Sequence, residues 1–160
     1  MSEDHLTFAA TQIGKGNWEP SIPVEFRLPD GTEGMVSRTM NSLIDTGAAF
    51  TKIPCALLPG GMPQWETLET PPYDPDDWGD FEPYRVLHPV QVHFAGVLFA
   101  KAVLVRPPSD PRQSYAVLGR MDFLRSFSMT VEFHKEPPQF TLTPQLREPR
   151  IPNLSQRPRR

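Results

Sequence analysis

Residues 41–54 read Asn41-Ser42-Leu43-Ile44-Asp45-Thr46-Gly47-Ala48-Ala49-Phe50-Thr51-Lys52-Ile53-Pro54. Leu43 and Ile44 deliver a strand into a turn, and that turn presents the carboxylate of Asp45. The Thr46 hydroxyl can hydrogen-bond within such a turn, and Gly47 lets the backbone pass without a Cβ in the way. Asp, Thr and Gly are common in turns, so the tripeptide alone says little. Its weight comes from a second string. Seventy-four positions on from Asp45 (119 − 45), Ala116-Val117-Leu118-Gly119-Arg120-Met121-Asp122-Phe123-Leu124 gives an apolar strand, a glycine and a short helical pattern.

Period-two alternation surrounds both strings. Ile22, Val24, Phe26 and Leu28 alternate with Pro23, Glu25 and Arg27, which reads as a half-buried strand with Pro23 placing it near an edge. Pro29 to Gly34 is turn chemistry, and Val36, Arg38 and Met40 continue as the hairpin partner. Val90, Val92 and Phe94 lead to a tight turn at Ala95-Gly96, and Val97 to Val105 is expected as one more fully buried strand. Met129, Val131 and Phe133 alternate again, and Phe140 to Leu142 make a last short strand. Only 120–127 favours helix, with Phe123, Leu124 and Phe127 on one face. The expected class is all-β with one small helix.

Composition bounds the alternatives. A chain of 160 residues is one domain's worth of core. Its 20 prolines are 12.5% of the chain, against about 5% in average proteins. An interior proline costs a helix about 3 kcal/mol, so long all-α architectures are excluded. One cysteine excludes an internal disulfide framework and a thiolate-rich zinc site. Cys55 is expected as a small packing residue, and Trp18 and Trp65 as packing or loop anchors. His88 and His93 are five apart, an odd spacing that sends them to opposite faces of a strand and away from a shared metal. Asp74 to Arg85 superficially matches a calcium loop but carries Trp78 and Arg85 where ligands are needed, so calcium is rejected. No nucleophile elbow or phosphate-binding loop is present. Acids near the N-terminus do not suit a signal peptide, and Lys101 interrupts the most hydrophobic run. A soluble, cytoplasmic protein with no membrane partner is expected.

The net charge of −3 is uneven. Arg147 to Arg160 holds five arginines and Glu148, giving +4, which leaves −7 on the other 146 residues. Residues 144–160 are expected to be a disordered basic tail. Such a tail can touch nucleic acid, but a solubilising terminus is the plainer reading and no nucleic-acid partner is expected. Between Pro59 and Pro83 lie six prolines and seven acids, with no Lys or Arg between Lys52 and Arg85. This is a long exposed excursion of the kind that serves as a lid or linker.

Together, apolar-apolar-Asp-Thr-Gly-Ala and apolar-apolar-Gly followed by a helix resemble the retropepsin family, the single-lobe aspartic proteases of retroviral type. The resemblance covers roughly residues 13–143, with 1–12 as an N-terminal arm. It implies a closed, barrel-like all-β fold with a short C-terminal helix, and an aspartic endopeptidase acting on polypeptides without metal or cofactor. By the resemblance Asp45 is the catalytic carboxylate and Thr46 braces the dyad. Gly47 and Ala48 approach the substrate backbone, and Tyr115 and Val117 line side-chain pockets. A flap over about 66–88 has its candidate tip at Trp78-Gly79-Asp80-Phe81. Terminal strands, Leu6 to Ala10 or Met129 to Leu142, are expected to interleave between two copies. The sequence departs from the retroviral pattern in having only Gly79 at the flap tip. It also has one extra residue before Phe123-Leu124, so that Asp122 is expected to take the polar role that follows Gly-Arg.

The chemistry explains the chain's size. Aspartic proteolysis needs two carboxylates sharing one proton, because like charges about 3 Å apart cannot both ionise. One Asp-Thr-Gly in 160 residues therefore calls for a twofold homodimer. The alternative is a catalytically silent module of the same fold that binds peptides or assembles. A third is a monomer that pairs only when substrate or concentration drives it. Were the acidic excursion to face substrate, its charge should favour peptides containing Lys or Arg.

Overall fold

The computed structural model describes residues 5–12, 18–71 and 84–145. Short strands β1 (Leu6–Ala9), β2 (Thr11–Gln12) and β3 (Trp18–Glu19) precede a long hairpin of β4 (Ser21–Pro29) and β5 (Met35–Ile44). After the Asp45 turn come β6 (Lys52–Ile53) and helix α1 (Gly61–Glu66). Next are β7 (Arg85–Leu87), β8 (Gln91–Phe94), β9 (Val97–Ala100), β10 (Val103–Val105) and β11 (Ala116–Leu118). Helix α2 (Phe123–Ser126) leads into the closing hairpin of β12 (Phe127–Glu132) and β13 (Gln139–Pro144).

The protein is mostly β. Eight strands form a curled half-barrel in the order β7-β10-β6-β11-β5-β4-β8-β9. Among the described residues β7 and β9 remain its two edges, so the sheet is not seen to close on itself. A second sheet has the order β1-β13-β12. Leu6–Ala9 thus pairs with Gln139–Leu142 of its own chain, Leu6 opposite Leu142 and Phe8 opposite Phe140.

Alternation in β4 puts Ile22, Val24, Phe26 and Leu28 wholly inside. They meet Phe94, Phe99, Phe123, Phe127 and Phe140 in one core. The Phe123 and Phe127 rings stack 4.9 Å apart, with Phe99 edge-on to Phe123 at 5.0 Å, arrangements that add to burial alone. Helix α2 is one turn long, and it exists to carry Phe123 into this cluster.

Four expectations need correction. β4 is internal rather than near an edge, but β8 pairs only with Glu25–Arg27, so Pro23 sits beyond the reach of that neighbour and its missing N–H costs nothing there. The run Val97 to Val105 is two strands, because Lys101 stays partly exposed and its carbonyl leaves the ladder to accept from the Val90 N–H at 2.9 Å. Phe133 is 77% exposed just past the end of β12. A second helix, α1, forms across Gly61-Met62-Pro63, where proline is tolerated because a first-turn N–H has no partner to lose. It buries Trp65, and Cys55 is buried too, whereas Trp18 is 37% exposed.

Gly119 follows β11 at the closest backbone approach of the fold. A Cβ there would lie 2.5 Å from the Phe50 carbonyl carbon, 2.6 Å from its Cα and 2.7 Å from the Ala49 oxygen. Backbone atoms cannot yield as a side chain can. Gly119→Ala should therefore destabilise the protein by about 2–3 kcal/mol or more, read from its denaturant midpoint. Gly96→Ala, strained by φ of 77° but in open space, should cost about 1 kcal/mol. Equal losses would show that the crossing is looser than its distances state.

Candidate active site

Strand β11 inserts between β5 and β6, parallel to the first and antiparallel to the second. The turn that joins β5 to β6 is therefore pinned from below by the end of β11. Asp45 donates its N–H to the Leu118 carbonyl at 3.1 Å. Ala48 and Ala49 accept from the N–H groups of Arg120 and Met121, both at 2.9 Å. The Arg120 guanidinium reaches the Thr46 carbonyl at 2.8 Å. Four residues of the loop, Asp45, Thr46, Ala48 and Ala49, are thus fixed by the strand–glycine–helix string.

Within the turn, an Asp45 carboxylate oxygen accepts the Gly47 N–H at 2.7 Å and the Asp45 carbonyl accepts the Ala48 N–H at 3.2 Å. Asp45 is half-buried, Thr46 and Gly47 are exposed and Ala48 is buried. A Cβ on Gly47 would come within 3.1 Å of that same carboxylate oxygen. The turn therefore offers one carboxylate, oriented by its own backbone, at the mouth of the sheet.

Residues opposite one another across a ladder share a face of the sheet. Leu43 faces Val117, Val117 faces Lys52, Lys52 faces Leu104, and Leu104 faces Val86. Asp45, two residues beyond Leu43, falls on this side. The neighbouring positions Ile44, Leu118, Ile53 and Val105 point the other way, into the phenylalanine core. The site side has its own apolar cluster of Ala49, Phe50, Tyr84 and Leu104. Of the expected pocket residues, Val117 lies in this row and is 5% exposed. Tyr115, half-buried, comes one residue before β11 with its ring 5.1 Å from the Arg106 guanidinium. The candidate flap tip, Trp78 to Phe81, lies outside the described residues, as does the basic tail from residue 146.

Asp122 occupies the place expected of it after Gly-Arg. Its carboxylate accepts the Thr51 N–H at 2.8 Å and the Phe123 N–H at 2.7 Å, so one side chain ties the exit of the Asp45 loop to the start of α2. Thr51 also offers its hydroxyl oxygen to the Gly119 N–H at 3.4 Å. Burial pushes the Asp122 carboxyl above its ordinary value of 3.8, against the lowering effect of the Thr51 and Phe123 hydrogen bonds. Sequence reading did not single out Lys52, Arg106 or Arg120. Lys52 stands beside Ile53 in the two-residue β6, and a charge next to an apolar strand residue was the available signal.

Among the described residues no group of three or more His, Cys, Asp or Glu could hold a metal. No described helix is long and apolar enough to cross a membrane. No protein-family model matches the chain, and no curated protein does. The chain is similar to a solved retropepsin-like aspartic protease from Rickettsia conorii, at 11% identity over 91% of this chain and 98% of that one, with a TM-score of 0.44. Function is therefore read from the site's own atoms.

The raised Asp122 carboxyl has a definite sign. A carboxyl whose folded value exceeds its unfolded value contributes stability that is complete below the unfolded value of 3.8 and is lost as pH rises through the folded one. Wild-type thermal stability should fall from about pH 4 upward by more than that of Asp122→Asn, which cannot ionise. Parallel pH profiles for the two proteins would remove Asp122 as the source.

Proposed function

We propose that the chain is one half of an aspartic endopeptidase of retropepsin type, completed when two copies place their Asp45 carboxylates across a twofold axis. The observation that carries this reading is the crossing itself. A strand inserted between β5 and β6, with the residues that follow it, fixes four residues around one half-buried carboxylate, which is the preorganisation that acid–base work at a single oxygen needs. Such a turn is supplied once per chain, and the shared proton requires two carboxylates.

In this mechanism the ionised Asp45 takes a proton from a water held between the pair, and that water attacks the scissile carbonyl. The protonated partner donates to the carbonyl oxygen, and the proton is then returned to the leaving amine. Thr46 braces the pair from its exposed position beside Asp45. Gly47 and Ala48 lie along the substrate backbone, while Tyr115 and Val117 border its side chains, with Trp78-Gly79-Asp80-Phe81 as the flap. Neither metal nor organic cofactor enters.

The test is cleavage of a denatured protein between pH 4 and 7, with the wild type and Asp45→Ala compared with and without a pepstatin-like inhibitor. Activity should be greatest on the acid side, fall to background in the variant, and fall faster than linearly on dilution as pairs dissociate. A dimer verified by mass that cleaves nothing across this range favours the silent peptide-binding module instead.

A further inference from the structure

Arg106 is the largest wholly buried side chain of the described protein, at 0% exposure. It follows β10, where its N–H bonds the Ile53 carbonyl at 2.8 Å. Alternation from Leu104 turns its side chain toward the Asp45 side of the sheet. One terminal nitrogen is fully used: Nη1 donates to the carbonyls of Arg112 at 2.8 Å and Tyr115 at 2.7 Å. Nε and Nη2, which form the other edge of the guanidinium, have no hydrogen-bond partner among the described residues.

Among the described residues the acid nearest in charge, Asp110, does not supply it. Asp110 is held by Arg112 through two bonds, Nε to Oδ1 at 3.0 Å and Nη2 to Oδ2 at 2.8 Å. Those bonds keep the Asp110 carboxyl below its usual range. Arg112 also reaches the Tyr84 hydroxyl at 3.1 Å. Both Asp110 oxygens are thus taken by Arg112, and Asp110 acts on Arg106 only through space, without a hydrogen bond. A buried, unpaired charge is costly. Burial and repulsion from Arg112 accordingly lower the Arg106 pKa.

The free edge has a definite chemical match. Nε–H and Nη2–H are parallel donors at the spacing of a carboxylate's two oxygens, the geometry of the strong bidentate pair. The fork is rigid, because Nη1 is anchored to two backbone carbonyls on the far side. Its surroundings are the Tyr115 ring, 5.1 Å from the guanidinium carbon, and Arg112. Tyr115 is half-buried and Arg112 exposed, whereas the guanidinium between them is wholly buried. Tyr115 immediately precedes Ala116 and Val117, the strand that pins the Asp45 turn.

We infer that Arg106 is a specificity-determining residue whose unpartnered edge takes a carboxylate of the peptide lying along the Asp45 face, so that substrates carrying Glu or Asp at one subsite are preferred. This inference rests on the protease reading for the location of the peptide, and on Arg106 alone for the preference. The carboxylate can come from an acidic side chain or from a peptide's C-terminus. Entry displaces the Tyr115 ring, which then covers the bound pair and keeps it dry. The sign of this preference is opposite to that expected of the acidic excursion, so the two would act at different positions of one peptide.

The experiment measures binding separately from cleavage, in the Asp45→Asn protein. Peptides capped at both ends and scanned with Glu at each position are compared with their Gln counterparts. A further arm carries Gln with an uncapped C-terminus, which identifies a terminal carboxylate as the ligand. Glu at one position, or the free terminus, should tighten binding about tenfold or more, as expected when a charge-assisted pair replaces a neutral one. Arg106→Gln should bring that ratio close to one. Because Nη1 also braces two carbonyls, the variant can lose its fold; the wild-type Arg106 Nε–H resonance is then followed directly. It should shift with the Glu peptide and stay in place with the Gln peptide. No binding of either peptide, a ratio of one, a ratio unchanged in folded Arg106→Gln, or an unmoved Nε–H on Glu-peptide binding each overturns the inference. Asp45-dependent cleavage without any Glu preference removes this inference and keeps the protease; Glu-selective binding without cleavage does the reverse.

Discussion

The arrangement around Asp45 depends on a backbone-to-backbone contact with no room for a side chain. Where β11 ends, Gly119 passes the Ala49–Phe50 peptide so closely that any Cβ would overlap it. That proximity lets the residues after Gly119 bond to Ala48 and Ala49, and lets Asp122 reach the Thr51 N–H. Hydrogen bonds of this kind are worth about 1 kcal/mol each in net stability. Their larger effect is geometric, because they remove the freedom of a loop that would otherwise move its carboxylate. A single position seventy-four residues away in sequence thereby controls the conformation of the Asp45 turn.

The same strand insertion divides the molecule into two sides of unlike chemistry. Toward the main core the ladders present Ile44, Leu118, Ile53 and Val105, closed over by six phenylalanines with rings between 4.9 and 6.5 Å apart. Toward the site they present Val117, Lys52 and Leu104, with Arg106 following at the end of β10. Lys52 lies with its ammonium 4.7 Å from the Tyr84 ring, so even this charge is accommodated against an aromatic face. One side is packed for stability. The other accepts buried charge, which packing alone would have excluded.

Much of this was legible in the sequence, and what was missed has physical causes. The β4–β5 hairpin could be read because only one of its faces is buried, so alternation survives in the residues themselves. The Asp45 turn and the Gly119 string could be read because glycine, aspartate and apolar flanks occur there for reasons of backbone conformation. Helix α1 could not, since Gly61 and Pro63 are breakers everywhere except in a first turn. The split between β9 and β10 was hidden because Ala100 and Ala102 are both buried, leaving Lys101 as a lone polar residue in an apolar run. The pairing of β1 with β13 joins residues 130 to 136 apart, and no local pattern records a contact at that distance.

Arg106 and Asp122 illustrate a different limit. In sequence each is an ordinary charged residue beside a strand or helix, and charged residues are almost always exposed. Only the fold reveals that both are buried, and on which side. Their difference is then informative. Asp122 spends both carboxylate oxygens on backbone donors, so its burial is accounted for by holding the Asp45 loop to α2. Arg106 satisfies the carbonyls of Arg112 and Tyr115 with one nitrogen and leaves two others facing nothing. An apolar residue of similar length would fill that space without the charge, and a lysine would lack the planar second edge. Structure-holding explains the first half of the Arg106 side chain; the second half is the part that the inferred carboxylate would complete.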